Sequence, residues 1–112
     1  MIRIRVKRDK SGQIASLTIN GHAGYAEKGQ DIVCAAVSAI SIGTINAVEA
    51  VLGVRLPTEV HEDGFLSCHM PSLDDGQLGD KVQLLLEAMI AALRSVEAEY
   101  GRHVQVMDER NG

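Results

Sequence analysis

Aromatic side chains make up only 3% of this 112-residue sequence, and tryptophan is absent. A core therefore has to be assembled from Val, Ile, Leu, Ala and Met, within a hydrophobic share of 46%. Cysteine is equally scarce. Two residues without repeated spacing exclude a disulfide framework. A basic excess is also missing: 15 acidic against 11 basic residues leave a net charge of −4, which argues against a nucleic-acid binder. The first ten residues, MIRIRVKRDK, lack the apolar stretch of a secretory signal, so a cytoplasmic location is expected. No repeat, linker or low-complexity tract divides the chain. It reads as one domain over 1–112, with no room for a separate cofactor module and no cofactor expected. A chain of this size buries roughly two-thirds of its unfolded surface, enough for one core without metal or disulfide help.

One absence needs a membrane check. No charged residue occurs between Ile32 and Val48, a run about long enough to span a bilayer. Ser38, Ser41, Gly43, Thr44 and Asn46 interrupt it, and Ala and Val dominate rather than Leu and Phe. It reads as a central helix covered on most sides by its own protein, and no membrane partner is expected.

The remaining pattern is regular. Ile2, Ile4 and Val6 alternate with Arg3, Arg5 and Lys7, the period of a half-buried strand. After the Asp9-Lys10-Ser11-Gly12 turn, Ala15, Leu17 and Ile19 alternate in the same way, completing a hairpin. Gly21, Gly24 and Gly29 mark a loop. Asp31 is a good N-cap for a helix from Ile32 to Leu52, closed by Gly53. Leu56–His61 and Phe65–Met70 flank Asp63-Gly64, a strong hairpin signal. Asp74, Asp75, Gly76 and Gly79 read as a polar loop. Val82, Leu85, Leu86, Met89, Leu93, Val96 and Tyr100 then follow helical spacing up to Gly101, and Val104 and Val106 form a short last strand. The order is ββαββαβ: an α+β two-layer sandwich with helices packed on one mixed or antiparallel sheet.

Few groups can do chemistry. With Asp31 as N-cap, Cys34 falls at N3, where free backbone amides and the helix dipole favour a thiolate and can serve a developing oxyanion. His22 lies twelve residues upstream, directly after a strand, where a strand–loop–helix return can bring it beside the thiol as a base. A buried core thiol and a loop histidine remain the plainer alternatives. Asp31 can simply cap the helix, or it can orient His22 as a third member. Ser38 lies one turn beyond Cys34; it can bond the sulfur, line a substrate pocket, or bond the carbonyl four residues back. The glycines around Tyr25-Ala26-Glu27-Lys28 suit a lid over the thiol, with Tyr25 a candidate to close it and Glu27 to meet a basic substrate tail.

Other groupings carry less. Cys68 and His69 point to opposite faces of a strand, and His61 beside one of them falls short of a zinc site, so no metal is expected. GHAGYAEKG lacks the spacing and the Gly-Lys-Ser/Thr ending of a phosphate loop, which excludes nucleotide binding. Arg3, Arg5, Lys7 and Arg8 read as the solvated side of a strand; a touch on ribosomal RNA is the alternative, though no direct nucleic-acid binding is expected.

Gly21-His22-Ala23-Gly24-Tyr25-Ala26, followed by Gly29-Gln30-Asp31-Ile32-Val33-Cys34-Ala35-Ala36-Val37-Ser38, resembles the signature of the ribosomal-processing cysteine protease family, Prp. The resemblance implies a dyad of Cys34 and His22, with Gly21, Asp31 and Ser38 in the same pocket. It implies removal of a short N-terminal extension from a large-subunit ribosomal protein, after a hydrophobic, aromatic-ended stretch. It also implies a homodimer with a flexible glycine loop over the site. The alternatives from other classes are a non-enzymatic ribosome-associated binding protein and a thiol hydrolase acting on another acyl substrate.

Overall fold

The computed structural model describes residues 1–27 and 30–110. Five strands and two helices follow one another as expected: β1 (Ile2–Arg8), β2 (Ile14–Asn20), α1 (Ile32–Leu52), β3 (Thr58–His61), β4 (Phe65–His69), α2 (Gly76–Glu99) and β5 (Val104–Asp108). The sheet order is β3-β4-β2-β1-β5. It is mixed, because β5 runs parallel to β1 while the other neighbours pair antiparallel. Alternation decides the layers. Ile2, Ile4, Val6, Leu17, Ile19, Leu66, Cys68, Val104 and Val106 bury one face under both helices, and Arg3, Arg5 and Lys7 stay exposed on the other.

Three local expectations are corrected. The polar stretch at Asp75 is not a loop: Asp75 Oδ1 accepts from the amides of Gln77 and Leu78 at 3.0 and 3.1 Å, so α2 starts at Gly76. Satisfying two otherwise unpaired amides outweighs the poor helix propensity of Gly76 and Gly79. Arg8 does not belong to the solvated face. The period of two that points Ile2, Ile4 and Val6 inward carries on to Arg8, whose side chain is only 5% exposed. Its five N–H donors go to Asp108, Glu87 and the Gly12 carbonyl, at 2.7 to 3.0 Å. The third correction concerns α1, whose boundaries are as expected but whose cover is partial. Val33, Val37, Ser41, Ile45 and Val48 form one buried stripe, whereas Ile32, Ile42 and Val51 are exposed. Each buried aliphatic on that stripe contributes roughly 1.5 kcal/mol or more.

The topology sorts the two ends of the sheet. The end of β2, the starts of β1, β4 and β5, and the N-terminus of α1 converge on one side. The opposite side carries the Arg8 ion cluster. All the candidate chemistry lies at the first end.

Candidate active site

Cys34 sits in the first turn of α1 and is half-buried. The chain reaches it from β2 through Gly21, whose φ of +99° and close approach to the Met1 carbonyl oxygen leave no space for a Cβ. His22 follows, exposed, and Ala23 comes next, buried. The Ala23 amide donates to Cys34 Sγ at 3.3 Å. His22 and Cys34 line one cavity of about 580 Å³ between α1 and the β3–β4 hairpin. Its apolar walls include Ile19, Val37, Ile42, Val60, Phe65 and Leu66. Among the described residues, no hydrogen bond joins His22 to Cys34. The arrangement brings a thiol, an imidazole and an aimed backbone amide to one open, largely apolar cleft of ligand-binding size.

Asp31 does two jobs. Its Oδ1 accepts from the Val33 and Cys34 amides, both at 3.0 Å, which caps α1. Its Oδ2 accepts from Tyr25 and Ala26 at 3.1 and 3.4 Å, which fastens the preceding loop. Partial burial pushes its carboxyl up, but the amides of Cys34, Ala26 and Tyr25 and the Cys34 thiol hold it below the usual range. Ala35 N donates to the Asp31 carbonyl at 3.0 Å. The amides of Val33, Cys34 and Ala35 are therefore engaged in this structure.

Comparison with known proteins decides the lineage. The sequence model of the family described as "Cysteine protease Prp" matches residues 1–105. The ribosomal processing cysteine protease Prp of Bacillus subtilis is 36% identical over 107 residues, covering 95% of this chain and 96% of that one. The chain belongs to the Prp family. A crystal structure of the Staphylococcus aureus ribosomal processing protease Prp with a covalently linked product peptide superposes with a TM-score of 0.87. It is 26% identical and covers 97% of this chain and all of that one. A second, with a substrate peptide, has a TM-score of 0.81 at 27% identity and the same coverage. This Prp-family chain is a cysteine protease.

The structure of this Prp-family protein also places the remaining expected residues. Ser38 is exposed and lines the cavity. The hydroxyls that bond a carbonyl four residues back are those of Ser41, to Val37 at 2.7 Å, and Thr44, to Ile40 at 2.6 Å. Tyr25 does not close the cleft. Its ring packs edge-on against Tyr100 and His103, with centroids 5.6 and 5.4 Å away. The lid expectation extends over Lys28 and Gly29, which lie outside the described residues. Sequence reasoning missed Gly64, which it read only as a hairpin turn. A Cβ there would come within 2.6 Å of the Gly21 carbonyl oxygen and 3.1 Å of His22 Cε1. Only the Asp-Gly dipeptide marked the spot, and nothing local tells which loop it faces.

Cys68 is the internal control. It is 2% exposed, and burial pushes its thiol up, with the Thr58 hydroxyl pulling weakly the other way. Iodoacetamide at neutral pH is expected to alkylate Cys34 at least about tenfold faster than Cys68 in the native protein, and His22→Ala should slow the fast site. Equal, slow labelling of both thiols by mass spectrometry would contradict the assignment of Cys34.

Proposed function

We propose that this chain is an endopeptidase that removes the N-terminal extension of a large-subunit ribosomal protein, with Cys34 as nucleophile and His22 as base. The observation that carries the reading is the shared cleft. A thiol on the first turn of a helix and an imidazole on the preceding loop open into one apolar cavity, in a chain whose relatives are named for ribosomal processing. His22 takes the thiol proton, and the Cys34 sulfur attacks the scissile carbonyl carbon. The Ala23 amide, 3.3 Å from Sγ, is placed to donate to the oxygen that gains charge. His22 then protonates the leaving amine, and water hydrolyses the thioester, restoring the thiol. Val60, Phe65 and Leu66 offer the walls that a hydrophobic substrate segment needs. Asp31 holds loop and helix start together, Gly21 admits the tight approach to Met1, and Ser38 lies along the cleft one turn below the sulfur.

Mass spectrometry of the host's large-subunit ribosomal protein tests this directly. Wild type should remove an N-terminal segment and Cys34→Ala should not. Activity should fall on mild oxidation and return with dithiothreitol, as suits a thiol that works in the reducing cytoplasm. An unchanged substrate mass with reduced wild type sinks the processing role.

The proposed assembly is a homodimer through the outer side of α1. Only 22% of that helix's most apolar 18-residue window is buried within one subunit, and Ile32 and Ile42 are exposed. An uncharged surface can meet its own copy about a two-fold axis without opposing like charges. Sedimentation of Ile42→Glu should show a monomer where wild type shows a dimer; a wild-type monomer at tens of micromolar rejects the assembly.

A further inference from the structure

We propose that His103 is a positioning residue of this peptidase, holding Ala23 so that its amide stays aimed at the Cys34 thiol; the proposal rests on the Cys34–His22 reading above. His103 Nδ1 lies 2.9 Å from the Ala23 carbonyl oxygen. A carbonyl can only accept, so Nδ1 carries the proton. Ala23 is thus held from both sides: its N–H points to Sγ at 3.3 Å and its C=O receives the imidazole. It is also the only buried residue among the described positions of 21–30.

The post is firmer than the loop it supports. His103 N donates to the Tyr100 carbonyl at 2.8 Å, and the His103 carbonyl accepts from Ile2 N at 2.8 Å. Its backbone is therefore fixed at once to the end of α2 and to the start of β1. The Tyr25 ring lies edge-on to the His103 ring at 5.4 Å, which adds a second grip two residues along the same loop. Asp31 fastens Tyr25 and Ala26 from the helix side. His103 fastens Ala23 from the sheet side, eighty residues away in sequence. Loss of that bond frees the amide that donates to the sulfur without touching either reacting side chain.

The test compares His103→Leu, which lacks the donor, with His103→Asn, whose side-chain amide can still donate. Amide hydrogen exchange reads the anchor alone: His103→Leu should lose about tenfold of the protection of the Ala23 amide, the scale of one net hydrogen bond. The iodoacetamide rate at Cys34 and kcat on the ribosomal-protein substrate should each fall about tenfold, with KM changed by less than about twofold. His103→Asn should recover most of both, which a purely structural defect would not do. Unchanged Ala23 protection in His103→Leu overturns the proposal, as does an Asn variant as impaired as the Leu variant. Wild-type Cys34 that labels no faster than Cys68 is a separate outcome: it removes the dyad, and the positioning role with it, even where the anchor itself is seen.

Discussion

Gly64→Ala is expected to leave the protein folded and to lower kcat/KM about a hundredfold, the cost of misplacing a catalytic group by about an ångström. The hairpin turn between β3 and β4 presses on the loop that carries His22. The added methyl would stand 2.6 Å from the Gly21 carbonyl oxygen, which is backbone and cannot rotate away, and 3.1 Å from His22 Cε1. One of the two segments has to move, and where the His22 loop is the one that yields, the imidazole shifts relative to Cys34. Gly64 also has a φ of +88°, so alanine adds about 1 kcal/mol of backbone strain that has nothing to do with the site. Gly12 separates the two effects. Its φ is +87° and nothing lies within 4 Å of its would-be Cβ. Gly12→Ala should therefore share the small loss in Tm and keep full activity. Equal activity in the two variants would show that the hairpin does not position His22.

Asp108→Ala is expected to cost about 3 kcal/mol, the lower range for breaking a buried ion pair, because Glu87 still partners Arg8. In a domain of this size that is a fall in Tm of roughly 10–20 °C. Asp108 is 2% exposed and takes two N–H groups of Arg8 at 2.7 Å. Its removal leaves those donors buried without partners while the positive charge remains. The cluster ties the ends of β1 and β5 to α2, and Arg110 joins at Glu87. Its pH dependence follows from the same contacts. The Arg8 guanidinium pulls the Asp108 carboxyl from about 3.8 down to about 2, against the opposing push of burial. Glu87 is held below its ordinary range of about 4.5, first by Arg8 and then by Arg110. A carboxyl depressed in the folded state stabilises above its unfolded pKa and loses that contribution as the pH falls through the folded value. The gap in urea midpoint between wild type and Asp108→Ala should be full at pH 6 and should narrow between about pH 4 and pH 2. A gap that stays constant to pH 2 would mean that the charge pair contributes nothing beyond packing.

Local pattern made much of this molecule legible. Alternation in Ile2–Val6 placed β1 and its two faces, because a strand's side chains alternate whatever they meet. The span from Asp31 to Gly53 placed α1, because the cap and the left-handed stop at φ +69° are properties of neighbours in sequence. The same span put Cys34 in the first turn, and His22 was close enough along the chain for a single loop to return it. The start of α2 was misplaced because two glycines argue for a loop by propensity, while one aspartate's bonds to two amides argue more strongly for a helix.

The sequence by itself determined the element order, the sheet faces, the family motif and the pair of residues that could react. Tertiary structure alone decided what surrounds them. It gave the inward Arg8 its partner Asp108, set Gly64 against the His22 loop, gave Asp31 four amides instead of an imidazole, and placed His103 under Ala23. These are contacts between residues some forty to a hundred apart in three of the four cases. Periodicity records which way a side chain points relative to its neighbours, but what it points at depends on how the strands are ordered in the sheet, and that order exists only in the folded chain.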